Sequence, residues 1–417
     1  MHSLAPDPIA ENDTSSPAPP ARRVTAINRA LQIAWERGWA SIPTLEPDRL
    51  VQKAARQSRC DPDEDGVGWK SRLDRLCADL HDHADLTDLG RTIAHGQIVS
   101  ALSNRFRAHA LWRRHPEIGR QPLTAPIIVV GQMRSGTTRM QRLLACDARL
   151  TFTHFYESWN PIPANGDRAG FDGRKLKGWA ALKCAGFLNP AFKNIHPTHW
   201  HAPDEEIGLH NLSIFGSAFE AQWNIPSYTA AVETEDATAV YGEFKRLLQT
   251  LRWLRGDTTD RPWILKVPQF AQDLPALLTI FPDARVIYLS RDPLEIMASS
   301  ASLVCNQMAL QSHAVDPHRV GREWARKVRL REARMTAAKA AATVPQIEVD
   351  YADIDRDWAQ EMQRVYAMLK LPFDAAVRSA MGAYLQASQP GDRNRHRYHP
   401  SQFGFASGSF ERATPAT

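Results

Sequence analysis

Eight residues, Gly131-Gln132-Met133-Arg134-Ser135-Gly136-Thr137-Thr138, carry two glycines at the spacing of a phosphate-binding loop. The short apolar run Ile127–Val130 precedes them, and Met140, Leu143 and Leu144 supply an apolar helical face after them. A strand-to-helix turn of this kind points backbone amides and the free N–H groups of a helix start at a phosphate. Thr137 and Thr138 add hydroxyl donors, and Arg134 adds a charge. Nucleotide triphosphatases place Lys and then Ser or Thr after the second glycine. Here the pair is Thr-Thr, so the loop can hold a phosphate but lacks the lysine of NTP hydrolysis.

Further charged groups stand at other strand ends. Val286–Leu289 is a second apolar run, leading to Arg291, Asp292 and Pro293, with Ser299 eight residues beyond the arginine. Arginine offers a fork of donors to a phosphate, and Pro293 suits a first helical turn. Lys266 closes a third run beginning at Trp263, and parallel sheets bind ligands at the carboxyl ends of their strands. Glu157 lies among Phe152, His154, Phe155, Tyr156 and Trp159; such surroundings can raise a carboxyl pKa towards a useful value. The residues His196, His199, His201, Asp204, Glu205 and Glu206 form a dense cluster that suits either a pocket wall or a metal. No H-E-x-x-H string accompanies it.

The R-S-G-T-T loop, the Arg291–Ser299 spacing, the Leu265-Lys266-Val267-Pro268 string and Pro203-Asp204-Glu205-Glu206 together resemble the sulfotransferase superfamily, in its bacterial branch with a helical N-terminal region. The resemblance runs over about residues 45 to 405. It implies 3′-phosphoadenylyl sulfate (PAPS) as co-substrate, with Arg134, Ser135, Gly136, Thr137 and Thr138 on the 5′-phosphosulfate and Arg291 and Ser299 on the 3′-phosphate. It places Lys266, joined by Arg134, at the transferring sulfuryl group and a glutamate, here Glu157, as acceptor base, with His154 as runner-up. The histidine that cytosolic animal-type members carry after the K-x-P strand is missing, since this chain reads Pro268-Gln269-Phe270. The acidic 203–206 segment would line the acceptor side, and no catalytic metal is expected. Related enzymes close a basic C-terminal segment over the nucleotide; their R-K-G string is absent, but Arg393, Arg395, Arg397 and Tyr398 could serve. The implied activity is sulfuryl transfer to a hydroxyl or amine of a small, lipophilic acceptor. A P-loop kinase or NTPase and a non-catalytic nucleotide-binding protein are the competing readings.

Positioning these groups requires alternating strands and helices, which argues for an α/β P-loop-type three-layer fold around a central parallel sheet. The strands expected are Ile127–Val130, Trp263–Val267, Val286–Leu289 and, more weakly, Ile347–Tyr351. Residues 1–22 read as a disordered leader, 23–120 as a helical N-terminal region, 121–390 as the α/β domain and 391–417 as a tail. Helical spacing of Leu50, Val51, Ala54 and Ala55, and of Leu73, Leu76 and Leu80, supports the second of these. The phenyl and indole groups of Phe215, Phe219, Trp223 and Tyr228 read mainly as core.

The 417 residues carry 51 basic and 46 acidic side chains, a net charge of +5 that demotes nucleic-acid binding. From His318 to Arg334 seven basic residues face two glutamates, with Val320, Trp324 and Val328 in a stripe; the expectation is an amphipathic helix with a charged solvent face. Five scattered cysteines without a C-x-x-C pair argue against a disulfide framework and for a reducing compartment. No apolar run has the length of a membrane span, so no stable membrane insertion is expected, and a cytoplasmic location follows as the default.

Overall fold

The computed structural model describes residues 22–64, 66–164, 172–190, 198–388 and 399–405. Five parallel strands form one sheet: β1 (Ile127–Gly131), β2 (Thr151–Phe152), β3 (Trp263–Leu265), β4 (Arg285–Ser290) and β5 (Gln346–Asp350). Their order is β2-β3-β1-β4-β5. Strand β1 is central: the chain runs from it to β2 and β3 on one side, then crosses to β4 and β5 on the other. That reversal is the switch point at which open α/β sheets bind ligands.

Side chains of β1 alternate between two cores, as the two-residue period of a strand dictates. Ile128 and Val130 join the larger cluster with Leu265, Val286 and Tyr288. Ile127 and Val129 join a second cluster with Ile264, Ile287, Leu289 and Val349, covered by the helices Tyr351–Leu369 and Ala375–Ala387. Four N-terminal helices precede the sheet: α1 (Arg22–Glu36), α2 (Pro47–Ser58), α3 (Trp69–Asp82) and α4 (Asp88–Arg114). Pro47 starts α2, and the Thr87 hydroxyl caps α4 by accepting from the Gly90 N–H at 3.0 Å. Leu50, Leu73, Leu76, Ile98, Leu102 and Phe106 from these helices lie in the same apolar cluster as Leu265 and Val286. The N-terminal helices thus share a core with the sheet.

The four expected strands are all present, and β2, only two residues long, was not anticipated. Of the expected leader only Arg22 is described, as the first residue of α1. Phe215, Phe219, Trp223 and Tyr228 are core, each at most 1 % exposed.

The basic helix, Pro317–Ala341, corrects the expectation placed on it. Val320, Trp324 and Val328 are buried as the stripe requires, but so are Lys327 and Arg331. Lys327 Nζ reaches Glu220 at 2.6 Å and Glu233 at 2.8 Å, and Arg331 Nη2 reaches Glu220 at 2.6 Å. Burial pushes the Glu220 carboxyl up, yet the two cations hold it below the ordinary carboxylate value. Much of the positive charge is therefore spent inside the molecule, on two acidic short helices, Ser217–Glu220 and Pro226–Thr234. The described part of the tail packs on this helix too, through Phe403 and Phe405 against Val320 and Trp324.

Candidate active site

Helix α5 (Thr137–Leu144) begins where the loop after β1 ends. The Arg139 and Met140 N–H groups bond back to the Gly136 carbonyl at 2.9 and 3.2 Å. The amides before them are the orphan donors that a helix start presents. Gly136 sits at φ +94°, and a β-carbon there would lie 2.3 Å from the Tyr351 ring. Arg134 adopts a left-handed φ of 71°, uncommon for a non-glycine residue and a mark of a constrained loop. The Ser135 hydroxyl is turned inward and donates to the Gln132 carbonyl at 2.7 Å.

The second half of the site meets the first. Arg134 Nε donates to Ser299 Oγ at 2.9 Å, and Arg291 Nη1 donates to the Arg134 carbonyl at 3.0 Å. Ser299 lies on the helix Pro293–Met308, capped by Asp292, which accepts from the Glu295 N–H at 3.0 Å. Arg291 also pairs with Glu295 at 2.7 Å and lies over the Tyr351 ring, 4.7 Å from its centroid. Arg134, Arg291 and Ser299, chosen from sequence alone, therefore form one cluster. Tyr351 was missed as a member of it. Its position directly after β5 was the available signal, because ligands gather at that end of a parallel sheet.

Lys266, 1 % exposed, follows β3 and joins the loop to the acidic segment. Its Nζ donates to Thr138 Oγ1 at 3.1 Å and forms an ion pair with Glu205. Its backbone N–H donates to Glu206 Oε2 at 2.8 Å. Glu206 is fully buried, and burial pushes its carboxyl up to about 8 despite the opposing pull of the Lys266 backbone N–H. The acidic segment is threaded tightly past the loop helix. Gln141 donates to the Asp204 carbonyl at 3.0 Å, and the Asp204 N–H donates to the Thr153 carbonyl at 3.0 Å. Its Glu205 side chain keeps 16 % exposure.

Glu157 is placed differently from the expectation. It sits in the short helix α6 (Phe155–Trp159), fully buried, and its Oε2 accepts from the His154 N–H at 3.0 Å in a capping box. Arg255 grips both oxygens, with Nε on Oε1 at 2.9 Å and Nη2 on Oε2. Burial raises the carboxyl, but the Arg255 guanidinium outweighs it and holds Glu157 below its ordinary value. A carboxylate whose lone pairs serve a cap and an arginine is poorly disposed to take an acceptor proton. His154, the runner-up, is pushed down to about 4, chiefly by burial, and its ring lies 4.0 Å from that of His201. His196, Arg393, Arg395, Arg397 and Tyr398 lie outside the described residues.

Among the described residues, His199, His201, Asp204, Glu205 and Glu206 do not converge as metal ligands. The grouping with suitable geometry is Asp63 and His109 of the N-terminal helical region with Glu243 of the helix Thr238–Arg255. There the buried Arg105 already pairs with Asp63 at 2.6 Å and Glu243 at 2.7 Å.

A glycine-bearing loop between a central parallel strand and a helix, with cations from two neighbouring strand ends converging on it, defines an α/β protein with a cationic cluster at the carboxyl ends of its central strands. The chain belongs to the sulfotransferase family, whose profile matches residues 126–375, more than half its length. Two solved structures share its fold. Sulfotransferase STF1 from Mycobacterium tuberculosis H37Rv is 23 % identical, with a TM-score of 0.74 over 88 % of this chain and 97 % of that one. Sulfotransferase STF9 from Mycobacterium avium is 24 % identical, with a TM-score of 0.75 over 86 % and 92 %. No curated protein sequence matches the chain closely enough to count as a relative.

Proposed function

We propose that this sulfotransferase takes its sulfuryl group from PAPS and delivers it to a hydroxyl or amine of a small, lipophilic acceptor. The observation that carries the reading is Lys266, whose Nζ touches Thr138 of the phosphate loop on one side and Glu205 of the acidic segment on the other. The loop amides with Thr137 and Thr138 hold the 5′-phosphate; Arg134, expected on the 5′-phosphosulfate and beside Lys266, turns its side chain to Ser299 and holds the 3′-phosphate with Ser299 and Arg291. Tyr351 offers an aromatic face beside them.

In the transfer, the acceptor oxygen or nitrogen forms a bond to sulfur while the bond from sulfur to the bridging phosphate oxygen breaks. Glu205 takes the acceptor proton in place of Glu157. Lys266 and the loop amides stabilise the negative charge that builds on the leaving phosphate oxygen, the preorganised electrostatic contribution that dominates such displacements. Donor oxygens compete for Lys266, so donor binding loosens its pairing with Glu205 and leaves the carboxylate ready to act as base. No step calls on a metal.

Calorimetry with 3′,5′-adenosine bisphosphate (PAP, the product nucleotide) and with ATP plus magnesium tests the donor. PAP should bind without added metal and ATP should not compete. Arg291→Ala should weaken PAP binding by about 1.5–3 kcal/mol, the range for hydrogen bonds to a charged group. Unchanged PAP affinity in that variant would remove Arg291 from the 3′-phosphate site.

A further inference from the structure

Helix α7 (Gly173–Leu188) stands with most of its surface outward. Its contact face is narrow: Arg174, Gly178 and Leu188 are its buried residues. A β-carbon at Gly178 would lie 2.8 Å from Tyr156 Cβ, so the helix crosses α6 closely there. On the opposite face Leu176, Trp179 and Phe187 are 56, 47 and 57 % exposed. The other large apolar side chains exposed to this degree among the described residues are Trp39 and Ile42. Three such residues on one short helix form a patch, which a soluble surface normally avoids unless something covers it.

The charge on α7 identifies the cover. Its sixteen residues include Arg174, Lys175, Lys177 and Lys183 and no acidic residue. The buried Arg174 is spent on Asp172, at 2.8 Å, whereas the three lysines are exposed. Lys175 and Lys177 fall on either side of Leu176 around the helix, and Lys183 lies over the Trp179 ring, 5.7 Å from its centroid. Trp, Phe and Leu on an outward face, interleaved with lysines whose stems can lie along apolar surface, are the composition of a helix that rests in a lipid headgroup layer. At about 24 Å the helix is too short to span a bilayer core of about 30 Å, and no helix of the described residues is long and apolar enough to cross one.

We propose that α7 docks this protein on a membrane surface bearing anionic headgroups, with Leu176, Trp179 and Phe187 entering the interface and Lys175, Lys177 and Lys183 pairing with the headgroup charge. α7 crosses α6 through its buried face at Gly178, so the docked face points away from α6. The docking rests on α7 alone and does not depend on which acceptor is sulfated.

The test is co-sedimentation of the full chain with vesicles of phosphatidylcholine alone and of equimolar phosphatidylcholine and phosphatidylglycerol. The wild type should bind the anionic vesicles, bind the neutral ones far more weakly, and lose affinity as salt is added. Replacing all three lysines by glutamate should weaken binding by about a hundredfold or more. Replacing Leu176, Trp179 and Phe187 together by serine should weaken it by at least about tenfold. Both variants alter exposed positions and should melt at the wild-type temperature. Absent or charge-indifferent vesicle binding overturns the proposal, and so does wild-type binding by either triple variant. A wild-type dimer that the triple-serine variant converts to monomer would assign the face to a second copy of the chain instead.

Discussion

Lys266 and Glu157 are both buried charged groups, yet their partners give them opposite uses. Lys266 faces the loop through Thr138 and the acidic segment through Glu205. Glu157 is locked to Arg255, 98 residues away in sequence. That distance explains what could be read from the chain alone. Lys266 and Arg291 could be picked out because strand ends are local patterns, and Ser299 through the eight-residue spacing of the motif that the family resemblance supplied. The choice between Glu157 and Glu205 could not be made, because it turns on a partner that no local spacing reveals. Glu205→Gln should cut turnover by about 10²–10⁴-fold, the usual contribution of a general base, with PAP affinity kept. Glu157→Gln should act on the fold instead, costing about 3–5 kcal/mol in urea melts by stranding the Arg255 charge. The reverse pattern, a stable but inactive Glu157→Gln with an active Glu205→Gln, would restore Glu157 as the base.

Among elements, the helix Pro317–Ala341 shows how composition misleads when charge is counted without direction. Its apolar stripe at four-residue spacing was read correctly, but periodicity says nothing about buried carboxylates on other helices. Glu220 and Glu233 draw Lys327 and Arg331 inward. Lys327→Ala should therefore destabilise by about 3–5 kcal/mol, the cost of breaking a buried pair from one side. Arg322, 72 % exposed along its side chain, should change stability by no more than about 0.5 kcal/mol when replaced by Ala. Equal and small effects at both positions, measured by urea denaturation, would return the helix to its role as a solvated face. The two-residue β2 escaped notice for a simpler reason: Thr151 and Phe152 are too few to show any period.

At the scale of the molecule, one apolar cluster joins the N-terminal helices to the sheet, so the site rests on elements from both. Glu206 lies within that shared interior, and its carboxyl is raised from 4.5 to about 8. Between those values the native chain keeps a proton that the unfolded chain has lost. Stability contributed by this group is thus full in acid and declines as pH rises through the window. Glu206→Gln keeps the shape and cannot ionise. Its stability relative to the wild type should improve steadily between about pH 5 and pH 8. A difference that stays constant with pH would mean that Glu206 is ionised in the native state.

The register of the central strands ties these scales together. Ile128 lies opposite Leu265 and Gly131 opposite Leu289, which sets Lys266 level with Val129 of β1 and Arg291 two positions beyond Gly131 on the other side. A slip of one residue would carry either cation about 3.3 Å along the strand, more than the length of the hydrogen bonds it must make. Backbone pairing therefore works as the gauge that calibrates charge against charge, and substitutions deep in β1, β3 or β4 should be felt as losses of rate before they are felt as losses of fold.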